Sequence, residues 1–531
     1  MMKNSYSGAE IISKAIKDSG VDTLFWYPGR EILPLYHELK DNGISIIRSS
    51  HEQCSVHSAD GFYRASGRIS SALTSTGPGS VNAMMGLACA YKDGSSLVLI
   101  TGQVPNDKIG TDAFEEVDLL SMTSSITKKN IRLKEDIYQQ IRDSFSQAVS
   151  GRPRPVHIEV PTNLFELEYN SDFNYLEKKT KTKLDIDKIK NAIKLINESK
   201  KPLILSGYGA IGSNSDANIR SLSNKIGAPI VTTLPGRGII DEDDTYAFGT
   251  LGVRGTNNAK IAFENSDLVI SFGVKFSDRT SYNLFNNSKK IIDVNIEKNR
   301  KSTSFELSLV GDINEILSNI VIGVSRKNGL WINKDTPKKL DGISSSSKPL
   351  KPQVAICEIL QKLHKEDIVV TDTGSITVWT HLLKKVHIPR TFICSHSFGA
   401  MGFGLPASIG AKLSNPGKRV VLITGDGGLL MVLGELLTLS ENNIDVKIFL
   451  INNGVLSTIK QHEDAKFGGK YHFSLGKKDF VEISKGLEVP GIRVEDKGEM
   501  KKGVKEILDS SGPMLLDILV NPNEKVPSGG I

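Results

Sequence analysis

Cysteine is scarce. The chain has four in 531 residues, Cys54, Cys89, Cys357 and Cys394, and no two of them stand at metal-ligand or redox-pair spacing. A disulfide framework and a structural zinc site therefore find no support, and the thiols read as reduced packing residues. Cys54 lies close enough to Glu52 in sequence to line the same site without acting in it. Long hydrophobic runs are also missing. No stretch approaches the ~18 uninterrupted apolar residues of a membrane-spanning helix, and Met1-Met2-Lys3-Asn4-Ser5-Tyr6-Ser7 lacks the apolar segment of a signal peptide. The expectation is a cytoplasmic protein with no membrane partner. An excess of one charge is the third absence. The 66 Lys and Arg against 60 Asp and Glu leave a formal net charge of +6, scattered along the chain. With no basic stripe, nucleic acid is not an expected partner.

What is present is α/β grammar repeated three times. The length exceeds one hydrophobic core and suggests about three domains. In residues 1–170 helical patterns alternate with short apolar strands such as Thr23-Leu24-Phe25-Trp26, Ser71-Ala72-Leu73-Thr74 and Ser96-Leu97-Val98-Leu99-Ile100. The polar stretch from Glu168 to Lys183 reads as a linker. Residues 184–324 repeat the pattern through Pro202-Leu203-Ile204-Leu205, Pro229-Ile230-Val231-Thr232 and Leu268-Val269-Ile270-Ser271. A second break from Ser325 to Pro352, containing Ser344-Ser345-Ser346-Ser347, precedes the last segment, 353–531. The expected fold is α/β, with three doubly wound parallel-sheet domains. The similar first and third segments suggest an ancient duplication, although no residue-level repeat is visible.

The last segment carries the most informative motif. Arg419-Val420-Val421-Leu422-Ile423-Thr424 leads into Gly425-Asp426-Gly427-Gly428, and a second apolar run, Val446 to Ile451, ends in Asn452-Asn453. With Leu429 to Leu439 read as a helix, this is a right-handed β-α-β unit, and Asp426 and Asn453 stand side by side at two strand carboxyl ends. Open α/β sheets bind ligands there. A carboxylate and an amide oxygen suit Mg²⁺, whose octahedral shell is commonly completed by phosphate oxygens. Gly427 and Gly428 let the backbone approach a diphosphate at a helix N-terminus. A lone Gly-Asp-Gly is usually only a turn; the paired Asn453 gives it chemical meaning.

Further motifs follow in order: Tyr27-Pro28-Gly29, His51-Glu52-Gln53, Thr76-Gly77-Pro78-Gly79, Ile100-Thr101-Gly102-Gln103-Val104-Pro105, Gly110-Thr111-Asp112-Ala113-Phe114 and Met401-Gly402-Phe403-Gly404-Leu405-Pro406. Together they resemble the acetolactate synthase (acetohydroxyacid synthase) catalytic subunit, a thiamin diphosphate (ThDP) dependent family, over nearly the whole chain. The resemblance implies a pyrimidine-binding domain over 1–170, a central domain over 184–324 and a diphosphate- and Mg²⁺-binding domain over 353–531. Glu52 would bond N1′ of the cofactor's aminopyrimidine, so that the 4′-nitrogen can take the C2 proton. Gly29, Phe114 and Glu115 fall at catalytic and substrate positions. Gly374, Ser375, Gly399, Gly425, Gly427 and Gly428 would surround ThDP, and Met401 would hold it bent. Asp426, Asn453 and the Val455 carbonyl would hold Mg²⁺.

The implied reaction decarboxylates pyruvate and joins the remaining two-carbon unit to a second 2-oxoacid, giving 2-acetolactate for branched-chain amino acid synthesis. Other readings are a non-oxidative 2-oxoacid decarboxylase or another acyl-transferring ThDP enzyme. A catalytically inactive regulatory or scaffolding protein is a third class, against which retention of Glu52, Asp426 and Asn453 argues. In the family, the glutamate and metal halves of each site come from different subunits, which implies a homodimer or homotetramer. A small regulatory subunit is a further implied partner. Family members also bind FAD in the central domain, and Arg152, Gly207, Gly209, Thr233, Leu234, Arg279 and Asp312 fall at matching positions. A related group uses the same domain without flavin, so both states stay open.

Several positions depart from the family pattern, and they cluster near the substrate. Glu115 stands where Gln is usual and would repel an anionic 2-oxoacid unless paired or protonated. Arg30 replaces a glycine and is a candidate to neutralise Glu115 or to bind the substrate carboxylate. His462 replaces a tryptophan that favours 2-oxobutyrate as acceptor. Ser375-Ile376 replaces a Gln-His pair at the diphosphate, where Ser can still donate a hydrogen bond and Ile cannot.

Overall fold

The computed structural model describes residues 5–170, 173–176, 184–281, 289–298, 305–335, 347–471, 473–476 and 478–527. The lysine-rich run at 177–183 and most of the serine run, 344–346, lie outside them. No helix among the described residues is long and apolar enough to cross a membrane.

In chain order the strands are β1 (Tyr6–Ser7), β2 (Thr23–Trp26), β3 (Ser45–Arg48), β4 (Ser70–Thr74), β5 (Leu97–Gln103), β6 (Lys129–Arg132), β7 (Val156–Pro161) and β8 (Glu168–Tyr169). The next six are β9 (Pro202–Ser206), β10 (Ile230–Thr232), β11 (Ala247–Thr250), β12 (Leu268–Phe272), β13 (Lys290–Asn295) and β14 (Leu307–Val310). The last six are β15 (Ile368–Thr371), β16 (Phe392–Ile393), β17 (Val420–Gly425), β18 (Val446–Asn452), β19 (Gly491–Val494) and β20 (Met514–Leu519). Apart from a small antiparallel pair, β1 with β8, they form three six-stranded sheets, each wholly parallel. The doubly wound α/β expectation is met in all three. The runs named from sequence are buried strands because parallel sheets covered by helices need apolar residues on both faces.

Strand order sorts the sheets. The first runs β3-β2-β4-β5-β7-β6 and the third β16-β15-β17-β18-β20-β19, the same topology twice. The middle sheet, β11-β10-β9-β12-β13-β14, has the order of dinucleotide-binding folds, with its switch point between β9 and β12. The two like units pack through equivalent helices, each lying between the second and third strands of its unit. Glu52–Ser66 crosses Gly404–Ser414 so closely that a Cβ on Gly61 would lie 2.1 Å from the Ala407 carbonyl oxygen, and one on Gly410 would lie 1.8 Å from that of Ser58. Glycine at both crossings lets the backbones touch. The resulting hydrophobic core is continuous between the units, joining Phe25, Val56 and Phe62 to Phe403, Leu422 and Ile448.

One expected element is broken. Instead of a single helix over Leu429–Leu439 there are two, Asp426–Leu430 and Glu435–Glu441. The Ser50 hydroxyl donates to the Gly434 carbonyl and the Ser50 N–H to the Glu435 carboxylate, so the first unit is bonded at the break between the two helices.

Candidate active site

At the switch point of the third sheet, the loops after β15 and β17 emerge side by side, with β18 next to β17. Asp426 follows β17 directly and is 4 % exposed. One of its carboxylate oxygens accepts from the Gly427 N–H at 2.9 Å and the other from the Gly454 N–H at 2.6 Å. Burial pushes this carboxyl up to about 6, and the backbone donors pull the other way. Asn453 lies one residue beyond β18. Its amide donates to the Ser457 hydroxyl at 2.5 Å and its oxygen accepts from the Val455 N–H at 3.1 Å. Asn452 points elsewhere, to Asp517 at 2.9 Å. Asp426, Asn453 and Val455 are thus gathered by two adjoining strand ends. A buried carboxylate held, among the described residues, by backbone N–H groups alone, beside an amide oxygen, fits a hard divalent cation.

The groups around it fit a diphosphate. Gly374, at φ +147°, precedes the helix Ser375–Leu383 and has open space where a Cβ would be; Gly399, at φ +71°, has almost as much. Gly425, Gly427 and Gly428 form the turn into the Asp426–Leu430 helix. A Cβ on Gly428 would lie 2.8 Å from the Asp372 carboxyl group, so that glycine is required by packing. Met401 brings its Cε within 3.3 Å of that position on Gly427, beside Leu456 and Leu475. Ile376 faces inward. It is 4 % exposed in a core with Trp379, Val421 and Ile423, so its lack of a hydrogen-bond donor is absorbed by packing.

Sequence reasoning missed Asp372. It is 1 % exposed, and its carboxylate accepts from the N–H groups of Thr373, Gly402 and Gly404 at 2.6, 3.0 and 3.2 Å, fixing the loop that carries Met401. Burial pushes its carboxyl up to about 6. Its only sequence signal was its place at the end of β15.

The first unit builds a separate half-site. Glu52 starts its helix, is 7 % exposed and accepts from the Asn82 amide at 3.0 Å. Its carboxylate also lies against Gly79, where a Cβ would come within 3.0 Å. Asn82 had no signal in the sequence. Gly29 faces the same loop, with Ser75 Cβ 2.2 Å from its hypothetical Cβ. Phe114 is 85 % exposed, and Glu115, at φ +64°, accepts from the Thr76 hydroxyl. Arg30 does not neutralise Glu115: its guanidinium pairs with the adjacent Glu31 at 3.0 Å and is otherwise in solvent. His462 is exposed on the Ser457–Phe467 helix. Among the described residues, no hydrogen bond joins Glu52 to Asp426, Asn453 or Val455.

The middle unit contributes a cavity of about 980 Å³ at its switch point, large enough for a dinucleotide. Arg152, Gly209, Thr233, Leu234, Arg279 and Asp312 line it. Gly207 lies behind the wall and serves packing, since a Cβ would meet the Gly273 carbonyl oxygen at 2.3 Å. Arg152 pairs with Glu297 at 2.9 Å, and Asp312 caps the helix Ile313–Gly323. Arg254 also lines the cavity; burial and the nearby Arg279 guanidinium push its pKa down. Two like charges at one wall, with buried Tyr208 Oη, Thr233 Oγ1 and Arg254 Nε lacking hydrogen-bond partners among the described residues, suit a polyanionic ligand. The cavity extends to Thr373, Gly374 and Gly399 of the third unit.

Comparison with known families agrees with this division. Models of the thiamine pyrophosphate enzyme N-terminal TPP binding domain, central domain and C-terminal TPP binding domain match residues 6–122, 189–320 and 372–518. Fold and site together define a thiamine pyrophosphate enzyme. The "Probable acetolactate synthase large subunit" of Methanocaldococcus jannaschii is 36 % identical over 548 aligned positions, covering 98 % of this chain and 93 % of that protein. The acetolactate synthase large subunit of Buchnera aphidicola from Schizaphis graminum is 32 % identical, with 98 % and 96 % covered. Chloroplastic acetolactate synthase 1 of Oryza sativa is 34 % identical, with 98 % and 86 % covered. The chain belongs to the acetolactate synthase large-subunit family of thiamine pyrophosphate enzymes.

Proposed function

We propose that this protein is a Mg²⁺-dependent acetolactate synthase that decarboxylates pyruvate and joins the two-carbon unit to a second 2-oxoacid. The observation that carries the reading is the placement of Asp426 and Asn453 at adjoining strand ends, beside Gly374 at the N-terminus of the Ser375–Leu383 helix. In this reading Asp426, Asn453 and the Val455 carbonyl hold Mg²⁺, while Gly374, Ser375, Gly399, Gly425, Gly427 and Gly428 receive the diphosphate. Bound thiamin diphosphate supplies an electron sink for the charge left as CO₂ departs. Glu52, oriented by Asn82, holds the proton shared with the aminopyrimidine N1′. Met401 would pack against the cofactor, and Gly29, Phe114 and Glu115 would border the substrate. FAD occupies the middle cavity through Arg152, Gly209, Thr233, Leu234, Arg279 and Asp312, with Gly207 shaping the turn.

Among the described residues Glu52 and Asp426 each bond only within their own unit, which supports a homodimer or homotetramer whose sites combine Glu52 of one protomer with the metal motif of its partner. The relatives named as large subunits support a small regulatory partner. Domain limits of 1–170, 184–324 and 353–531 and a cytoplasmic location belong to the same reading; the four free cysteines, three of them buried, suit a reducing compartment. The test is incubation with pyruvate, ThDP and Mg²⁺ and mass spectrometry of the products. Acetolactate is expected. Acetaldehyde alone would make the protein a decarboxylase, the reading that Glu115 favours by placing a carboxylate near an anionic acceptor.

A further inference from the structure

One wall of the large cavity is also the helix that begins at the candidate diphosphate site. Gly374, Thr377, Val378 and His381, spaced along one face of Ser375–Leu383, line the cavity, while Ile376, Trp379 and Thr380 turn into the core. The far end of this helix is gripped by the middle unit. Arg237, 7 % exposed, donates to the His381 carbonyl and to His381 Nδ1, both at 2.9 Å, and also to the Lys384 carbonyl. These carbonyls are the acceptors that a helix C-terminus leaves without internal donors, and a guanidinium there also complements the helix dipole.

Arg237 is itself held rigidly. Glu242 takes two of its donors, at 2.6 and 2.7 Å, and accepts from the Val386 N–H at 3.0 Å. Around this pair, His387 meets Asp241 at 2.7 Å and Lys385 meets Asp243 at 2.7 Å. Lys365 adds a further bond to Asp241 at 3.0 Å, so the two aspartates and His387 act as a clasp whose charges are already matched. Immediately before Arg237, Thr233, Leu234 and Pro235 line the cavity. Gly236 is wedged against the end of β9, where a Cβ would lie 2.4 Å from the Ser206 carbonyl oxygen. The cavity-lining segment thus leads directly into Arg237, and Arg237 into the helix whose first turn faces the candidate diphosphate site.

We propose that Arg237 is a positioning residue that couples the two cofactor sites: a dinucleotide in the middle cavity tightens thiamin diphosphate binding, and thiamin diphosphate tightens the dinucleotide by the same factor. The proposal rests on the reading of the cavity as an FAD site and of Gly374–Ser375 as a diphosphate site. Linkage requires the reciprocity, and couplings of this kind usually amount to about 5–150-fold.

The test is calorimetric titration of the full-length protein with ThDP and Mg²⁺, with and without saturating FAD, and the converse titration of FAD. In the unmodified protein each ligand should tighten the other about tenfold. Arg237→Lys keeps the charge and loses the planar fork that spans His381, Lys384 and Glu242. Its coupling should fall to about twofold or less while both ligands still bind. Glu242→Gln, which loosens the guanidinium without removing it, should give an intermediate factor and serves if the lysine variant does not fold. A purely structural Arg237 would weaken both affinities and leave their ratio intact, which would overturn the proposal. So would independent binding of the two ligands to the unmodified protein. Failure of that protein to bind FAD, or to bind ThDP, would instead remove the underlying reading and the proposal with it.

Discussion

The first and third units share one strand order and pack through equivalent helices, yet they carry opposite chemistry. In the third unit, the switch-point loops hold Asp372 and Asp426 below glycines that leave room for phosphate, and the connection from second to third strand presents Met401. In the first unit the same connection presents Glu52, and the switch-point loops bring Gly29 against Ser75 and Gly79 against Glu52. The scaffold fixes where a loop emerges and leaves its residues free. In the proposed reading, one unit thereby holds a metal and diphosphate while its topological twin supplies Glu52 for the proton.

The strongest test of this division is Glu52→Gln. It should lower turnover of pyruvate by about 10²–10⁴-fold while ThDP and Mg²⁺ still bind, because in the proposed reading Glu52 shares a proton with the cofactor. Asp426→Ala should instead weaken Mg²⁺-dependent ThDP binding itself, measured by titration. Equal loss of binding in both variants would erase the functional distinction between the units.

The packing of the two units can be broken next. Gly410→Ala places a Cβ 1.8 Å from a backbone oxygen, and we expect a loss of about 3 kcal/mol in chemical denaturation, at the upper end for overpacking. Gly417→Ala, with open space at the same atom, should cost far less.

Glu435 sharpens the comparison by pH. It is fully buried at the junction, and burial pushes its carboxyl up to about 7. The folded state then binds more protons than the unfolded state between the ordinary glutamate value of 4.5 and about 7. Stability should fall as pH rises through that window, by an amount on the order of 3 kcal/mol. Glu435→Gln should remove most of this slope, seen in denaturation at pH 5 and pH 8. A slope unchanged in the variant would assign it elsewhere.

The smallest effect is expected at His462, exposed on the third unit's Ser457–Phe467 helix. His462→Trp should raise the yield of the 2-oxobutyrate product relative to acetolactate by about tenfold or less, the usual worth of one added apolar contact. Competition between the two acceptors would measure it.

Much of the site was legible because it is local. Asp426 and Asn453 follow apolar runs that can only be buried strands, and the adjoining glycines announce close backbone approach. Glu52 was legible only through its flanking motif, since a single glutamate carries no mark of burial. Asn82, Asp372 and Ser457 were not legible: an asparagine, an aspartate and a serine in ordinary surroundings acquire their roles from the groups they meet. Arg30, a candidate to neutralise Glu115, does not pair with it: Glu31 takes its guanidinium and the Thr76 hydroxyl donates to Glu115.

By itself the sequence determined the strands that carry Asp426 and Asn453 and which residues stand at their ends, because apolar period, glycine and strand length act over a few residues. Only the tertiary structure decided that two units repeat one strand order while the middle unit takes another, and that helices at Gly61 and Gly410 touch. It also decided that Arg237 caps a helix 144 positions away. Such pairings depend on crossover topology and on long-range packing, where a side chain's partner is set by geometry that no local pattern encodes.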